Sequence, residues 1–322
     1  MRDELRWGIM GAAKIARTKL APAIHAARGA RLAALATSDP AKAAPFRAMA
    51  PQLEVHHDYA ALLEDASIDA IYIPLPNHLH VEWTERALAA GKHVLCEKPI
   101  ALRAQEIDRL IAARDGHGRL AAEAFMICHH PQWERVQALI AKGAIGRLAH
   151  VDGVFSYNNP DPDNIRNRPE TGGGGLYDIG VYPCCATRLV TGAEPERVRA
   201  DIRREGGVDT FARVWADFPG VTLSFSCGMR QGARQEMVFH GSEGWLRATA
   251  PFNAGDYDDA RLELRGSDGR TVIERVPADQ YRTMIEAFGE SVRDGVPFAC
   301  PLEFSRANQV MLDAIFAADP PE

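Results

Sequence analysis

Residues 5–16, LRWGIMGAAKIA, decide how the rest of the chain is read. The apolar run LRWGIM stops at Gly11, small residues follow at Ala12 and Ala13, and a helical pattern runs from Ile15 to Arg28. A strand, a glycine turn and a helix in that order open a parallel βαβ unit. The alternation then repeats outward. The apolar runs ARLAALAT (30–37), AIYIPLP (70–76), HVLCEKP (93–99) and LAAEAFM (120–126) are separated by helical stretches near 39–49, at Tyr59–Glu64, at Val81–Ala90 and at Ala104–Arg114. Strands that are apolar on both faces and separated by helices predict a doubly wound parallel sheet of the Rossmann type, covered on both sides.

Beyond about residue 124 the texture changes. VDGVFSYN (151–158), RVRADIRR (197–204), FARVWADF (211–218), VTLSFSCG (221–228), RQEMVFHG (234–241), GWLRATAP (244–251), RLELRGSDG (261–269) and TVIERV (271–276) are strand-like. Turn signals at Pro219-Gly220, Gly241–Gly244 and Ser267–Gly269 separate several of them, which predicts a large, open, mostly antiparallel sheet. Val151, Phe155 and Tyr157 fall on one face of their strand and Asp152 and Ser156 on the other, so one side of this sheet is solvated or paired with another subunit. Helical patterns at Tyr281–Arg293 and Phe304–Phe316 close the chain. The expected fold is α/β: a Rossmann domain over residues 1–123, then an α+β domain over 124–322 whose terminal helices are free to pack back on the first.

Composition agrees with two domains, since 322 residues stand against roughly 150 per domain. Hydrophobic residues make up 46% and charged ones 25%, the balance of a folded globular chain. Lys plus Arg is 37 against 43 for Asp plus Glu, a net charge of −6 without long runs of either sign, which disfavours nucleic acid or an anionic membrane as partner. No stretch reaches the ~18 consecutive apolar residues of a membrane span. The acidic start MRDELRW leads straight into the glycine motif, so no signal peptide is expected and the expected location is cytoplasmic. The six cysteines lack paired spacing and read as reduced thiols.

Four motifs carry chemistry. Gly11, Ala12, Ala13, Lys14 and Ile15 sit where a dinucleotide pyrophosphate meets a helix N-terminus, with Ala13 and Ala16 in place of the second and third glycines of the fingerprint. The second strand ends in Thr37-Ser38, with Lys42 following, rather than in the acid that selects an unphosphorylated ribose; this favours NADP over NAD, and nearby Asp39 is the residue that would reverse it. Lys98, in Glu97-Lys98-Pro99, ends a strand where ligands bind in doubly wound sheets and can stabilise a developing alkoxide. In GGGGLYDIGVYP (172–183), Asp178 and Tyr182 are four residues apart and share a helix face, a pairing suited to exchanging a hydroxyl proton. His56-His57, His78 with His80, and His129-His130 show no metal-ligand spacing, so no metal is expected.

WGIMGAAKIA, PNHLH (76–80), AGKHVLCEKP (90–99), EAFMICHHPQ (123–132) and GGGGLYDIGVYP together resemble the Gfo/Idh/MocA oxidoreductase family, over nearly the whole chain. Tyrosine at the position after DIG, where histidine is commoner, is most similar to the dihydrodiol dehydrogenase, D-xylose 1-dehydrogenase and glucose-fructose oxidoreductase branch. The resemblance implies a nicotinamide cofactor, a sugar-like secondary alcohol or carbonyl as substrate, a second domain that binds substrate and dimerises, and a homodimer or dimer of dimers. It implies Lys98 and Tyr182 as the acid/base pair supported by Asp178, and Pro76, Asn77, His80, Glu97 and Arg166 along the cofactor groove. Ile165 stands where relatives carry tryptophan, and Ile127-Cys128-His129 depart from the aromatic and arginine of xylose-type relatives. Two other readings stay open: a non-catalytic dinucleotide-binding sensor of the same fold, and a sugar–sugar oxidoreductase with tightly held cofactor.

Overall fold

A computed structural model describes residues 4–320; the first three residues of the expected leaderless start lie outside it. The chain divides into two compact units, one of Met1–His129 with Gln280–Arg306 and one of His130–Asp279 with Ala307–Glu322.

In the first unit, strands β1 (Leu5–Met10), β2 (Ala30–Ala36), β3 (Glu54–His56), β4 (Ala70–Ile73), β5 (His93–Cys96) and β6 (Ala121–Glu123) form one sheet in the order β3-β2-β1-β4-β5-β6. Every neighbouring pair is parallel, as the two-sided apolar runs predict. The chain reverses its direction of winding between β1 and β4, and Gly11 follows directly on β1 at that switch point. Asp58 caps the helix Tyr59–Glu64 by accepting the Ala61 N–H at 2.7 Å. The apolar run LAAEAFM gives only a three-residue strand, because Phe125 N–H turns back to Glu123 O and Met126–His129 winds into a short 3-10 turn.

The helix Gln280–Asp294 belongs to this unit despite its distance in sequence. Its Phe288 is buried between Trp7 of β1, with ring centroids 5.0 Å apart, and Phe298 at 5.8 Å. Aromatic rings meeting edge-on or tilted gain a little beyond the area they bury.

The second unit holds β7 (Leu148–Asn158), β8 (Arg197–Glu205), β9 (Val208–Phe218), β10 (Val221–Gly228), β11 (Arg230–Gly241), β12 (Trp245–Ala248), β13 (Arg261–Arg265) and β14 (Thr271–Arg275) in the order β14-β13-β12-β11-β7-β10-β9-β8. Only β7 and β10 run parallel. Val151, Phe155, Phe225, Val214 and Phe239 are buried on one face, where the helices Gln132–Ala141 and Val181–Thr191 pack. The other face is polar: Asp152 accepts from Ser224 and contacts His150 and His240, each at 3.1 Å, while Trp215 stands exposed.

Replacing Phe288 with Ala removes a buried ring shared by the first and last elements of the first unit. The expected cost is about 3–5 kcal/mol, read as a lower urea midpoint at unchanged m-value; a loss below about 1 kcal/mol would show that the helix does not complete this core.

Candidate active site

Gly11 has φ of 105°, a left-handed value that side chains rarely adopt, and a β-carbon there would press on Leu75 and the Tyr59 hydroxyl. Its N–H donates to Ala36 O at 2.9 Å, which ties the turn to β2. A helix follows at once, and Arg17 N–H closes its first turn on Ala13 O. The first-turn N–H groups of a helix have no acceptor within it and point outward beside the positive end of the dipole. Ala12 and Ala13 are half-buried, Lys14 is exposed, Ile15 is half-buried, and Ala16 is fully buried against the sheet, the role of the third glycine in the fingerprint. This cradle fits a pyrophosphate.

At the end of β2, Thr37 is buried, and its hydroxyl donates to Asp39 O at 3.3 Å. The Asp39 carboxylate is turned onto Ala41 N–H at 3.0 Å and caps the short helix Pro40–Ala43. Exposed Ser38 and Lys42 flank it.

Across the switch point, Pro76 and Asn77 are half-buried at the start of the turn Asn77–Leu79. His80 is fully buried, with Nδ1 2.7 Å from Pro99 O and Nε2 2.7 Å from Leu75 O, and burial lowers its pKa. The imidazole is therefore a brace between the segments that follow β4 and β5. Glu97 accepts the Tyr72 hydroxyl at 2.5 Å, and burial raises the carboxyl's pKa. Half-buried Lys98 comes next, followed by a cis Lys98–Pro99 peptide.

In the second unit, a wide π-helical turn, Leu176–Gly180, carries Asp178, and the helix Val181–Thr191 carries Tyr182. One oxygen of the Asp178 carboxylate, Oδ2, accepts the Tyr157 hydroxyl at 2.6 Å and pairs with Arg166 Nε at 2.8 Å. The carboxylate beside it raises the pKa of Arg166, and burial followed by that carboxylate raises that of Tyr157. The Tyr182 ring is buried on Phe155 and Phe252, both 5.3 Å away between centroids. Arg166, expected along the cofactor groove, thus spends its guanidinium on Asp178, while Ile165 beside it is exposed. Tyr72 and Tyr157 escaped the sequence reading; the one available signal was that Tyr157 shares a strand face with buried Phe155. Outside these clusters, and among the described residues, Glu54, His56 and Asp65 bring ligand atoms within 4.8 Å of one another, with His56 Nε2 3.3 Å from Asp65, a meeting that sequence spacing did not suggest.

Two family models match in register with these units. Residues 5–125 match an oxidoreductase family with an NAD-binding Rossmann fold, and residues 133–247 match the GFO/IDH/MocA C-terminal domain. The chain belongs to the Gfo/Idh/MocA family. Within it, an uncharacterised oxidoreductase of Rhizobium meliloti is 41% identical over 97% of this chain and 96% of that protein. A D-xylose 1-dehydrogenase (NADP+) of Haloferax volcanii is 36% identical over 97% of this chain and 96% of its own length. The crystal structure of a 3-ketoreductase from Actinomadura kijaniata, solved with NADP and TDP-benzene, superposes with a TM-score of 0.92 at 33% identity and 98% coverage of both chains. As a Gfo/Idh/MocA member with an intact Rossmann cradle, the protein is an NAD(P)-dependent oxidoreductase.

Tyr157→Phe deletes a donor to a carboxylate whose side chain is only 12% exposed. Unfolding free energy should fall by about 1–3 kcal/mol, and the same change made on an Asp178→Asn background should cost less than half as much. Equal costs in the two backgrounds would mean that the hydroxyl and carboxylate do not act on each other.

Proposed function

We propose that the protein moves hydride between NADP and a carbon of a sugar or polyol, with Lys98 and Tyr182 managing the proton and Asp178 holding the tyrosine-bearing turn. The observation that carries this reading comes from the 3-ketoreductase. That enzyme was also solved with a lysine replaced and with a tyrosine replaced, and in its sequence the lysine precedes the tyrosine by the same number of residues as Lys98 precedes Tyr182.

The nicotinamide ring, when bound, supplies or accepts the hydride. The chain's own residues deal with the oxygen. The Lys98 ammonium donates to the substrate oxygen and favours its negative charge as the C–H bond forms or breaks. The Tyr182 hydroxyl passes its proton to that oxygen in reduction and takes it back in oxidation. Asp178, four residues before Tyr182, is neutralised by Arg166 and Tyr157, so it holds the turn without repelling a developing oxyanion.

Preference for NADP over NAD rests on the end of β2. Asp39 accepts Ala41 N–H as a cap, which supports leaving Ser38 and Lys42, rather than a carboxylate, to read the ribose substituent. The NADP named with two of the relatives supports the same choice. Relatives named for D-xylose and for a dTDP-linked keto sugar support a sugar substrate. The reading includes a homodimer or dimer of dimers, supported by the exposed Trp215 on the polar face of the second sheet.

A panel of free aldoses with NADP and of nucleotide-linked keto sugars with NADPH should yield one substrate class. On it, Lys98→Ala and Tyr182→Phe should each lower kcat by about 100-fold or more, with NADPH affinity within about threefold. Activity of either variant within about tenfold of wild type, some 1.4 kcal/mol of barrier, would remove that residue from the mechanism.

Cofactor choice is tested separately by the ratio of kcat/KM for NADP to that for NAD. It should exceed about tenfold, or 1.4 kcal/mol, and Ser38→Asp should collapse it. A wild-type ratio below one would overturn the assignment.

A further inference from the structure

The glycine run Gly172–Gly175 has no part in the reaction just described, and the structure shows what it is shaped around. Asp209, near the start of β9, is buried, and its Oδ2 accepts Leu176 N–H at 2.6 Å. Gly174 has φ of 123°, and a β-carbon there would run into Asp209 Oδ1. At Gly175 it would crowd Oδ2 at 3.3 Å. On the opposite side of the run, Gly174 N–H donates to Arg166 O at 2.9 Å, and a β-carbon at Gly173 would press on that same carbonyl. Glycine is required because the backbone passes between a buried carboxylate and the Arg166 turn with no room for side chains. One step further on, Asp178 N–H donates to Gly174 O at 3.1 Å.

We propose that Asp209 is a positioning residue for the reaction centre: by gripping Leu176 N–H from a neighbouring strand, it fixes the turn and helix that present Asp178 and Tyr182. The proposal rests on the reading that Tyr182 carries the proton. A helix start is ordinarily capped by a local Ser, Thr, Asn or Asp, which costs little because it sits in water. Here the cap comes from the sheet, so the helix cannot slide or rotate without breaking a bond to β9.

Burial pushes the Asp209 carboxyl up to about 7. Arg204 of the adjoining β8 favours its charge, Leu176 and Gly175 N–H groups donate to it, and the Cys227 thiol of β10 is driven up by burial and then by the Asp209 charge. The sign follows from burial raising this pKa above its unfolded value. The stabilising contribution is present at low pH and is lost as pH rises through about 7, where the buried carboxylate must bear charge. The grip on Leu176 N–H has the opposite trend, because a charged acceptor holds an N–H more firmly than a neutral one.

The test compares wild type with Asp209→Asn, which keeps an acceptor without charge, and Asp209→Ala, which keeps neither. Amide exchange of residues 174–182 should lose about tenfold protection in Asp209→Ala and retain it in Asp209→Asn. On the panel substrate, kcat should fall by about 30-fold in Asp209→Ala with NADPH affinity within about threefold, and the acid limb of the kcat–pH profile near neutrality should flatten in Asp209→Asn. Unchanged exchange in Asp209→Ala overturns the proposal even if no substrate is found, so its failure is separable from that of the functional reading. Should Asp209→Ala not fold, an acid limb in Asp209→Asn identical to that of wild type overturns it.

Discussion

A carboxylate kept from water must find donors, and Asp178 meets that demand with a guanidinium and a phenol on the same oxygen. The arrangement links three separate pieces of chain: the end of β7 through Tyr157, the turn after it through Arg166, and the helical turn that leads to Tyr182. Removing either donor leaves charge stranded at low dielectric, so the three pieces hold one another in place. The helix that follows this lock carries Tyr182, whose ring packs on Phe155 and Phe252.

The first unit meets its own constraint differently. Its segment Glu97-Lys98-Pro99 is held by Tyr72 on Glu97 and by His80 on the Pro99 carbonyl. Burial raises the pKa of Glu97, against the pull of the neighbouring Lys98 charge, and lowers that of His80. The pyrophosphate cradle uses backbone N–H groups and a dipole rather than side-chain charge, which explains why alanines at 13 and 16 suffice where glycines are usual.

Much of this was legible in the sequence. Hydrophobic alternation located the eight strands of the second sheet and five of the six in the first, missing the short β3, which is not buried, and the glycine turn after β1 placed the switch point, because these signals are local and repeat with the period of the element. Lys98, Asp178 and Tyr182 stood out because each ends a strand or follows a glycine run within a recognisable motif. What escaped was the set of partners. Tyr157, Tyr72 and Asp209 reach their targets across 21, 25 and 33 positions of chain, and no local pattern marks a side chain whose only role is to meet another from a different strand. Arg166 was visible, but its carboxylate partner was not: a guanidinium in a loop fits a phosphate or a carboxylate equally well until the fold supplies one. The partners of His80 were likewise hidden, since periodicity does not reveal that both nitrogens face carbonyls.

The return of the helix Gln280–Asp294 to the first unit has a consequence for biogenesis. While the ribosome is still making the second sheet, Trp7 waits without the ring of Phe288 that will cover it. The nucleotide-binding half, though encoded first, matures last. A nascent chain arrested anywhere before that helix offers an oily seam along its earliest strand, the kind of surface that trigger-type holding factors shield and that clumps when they are scarce.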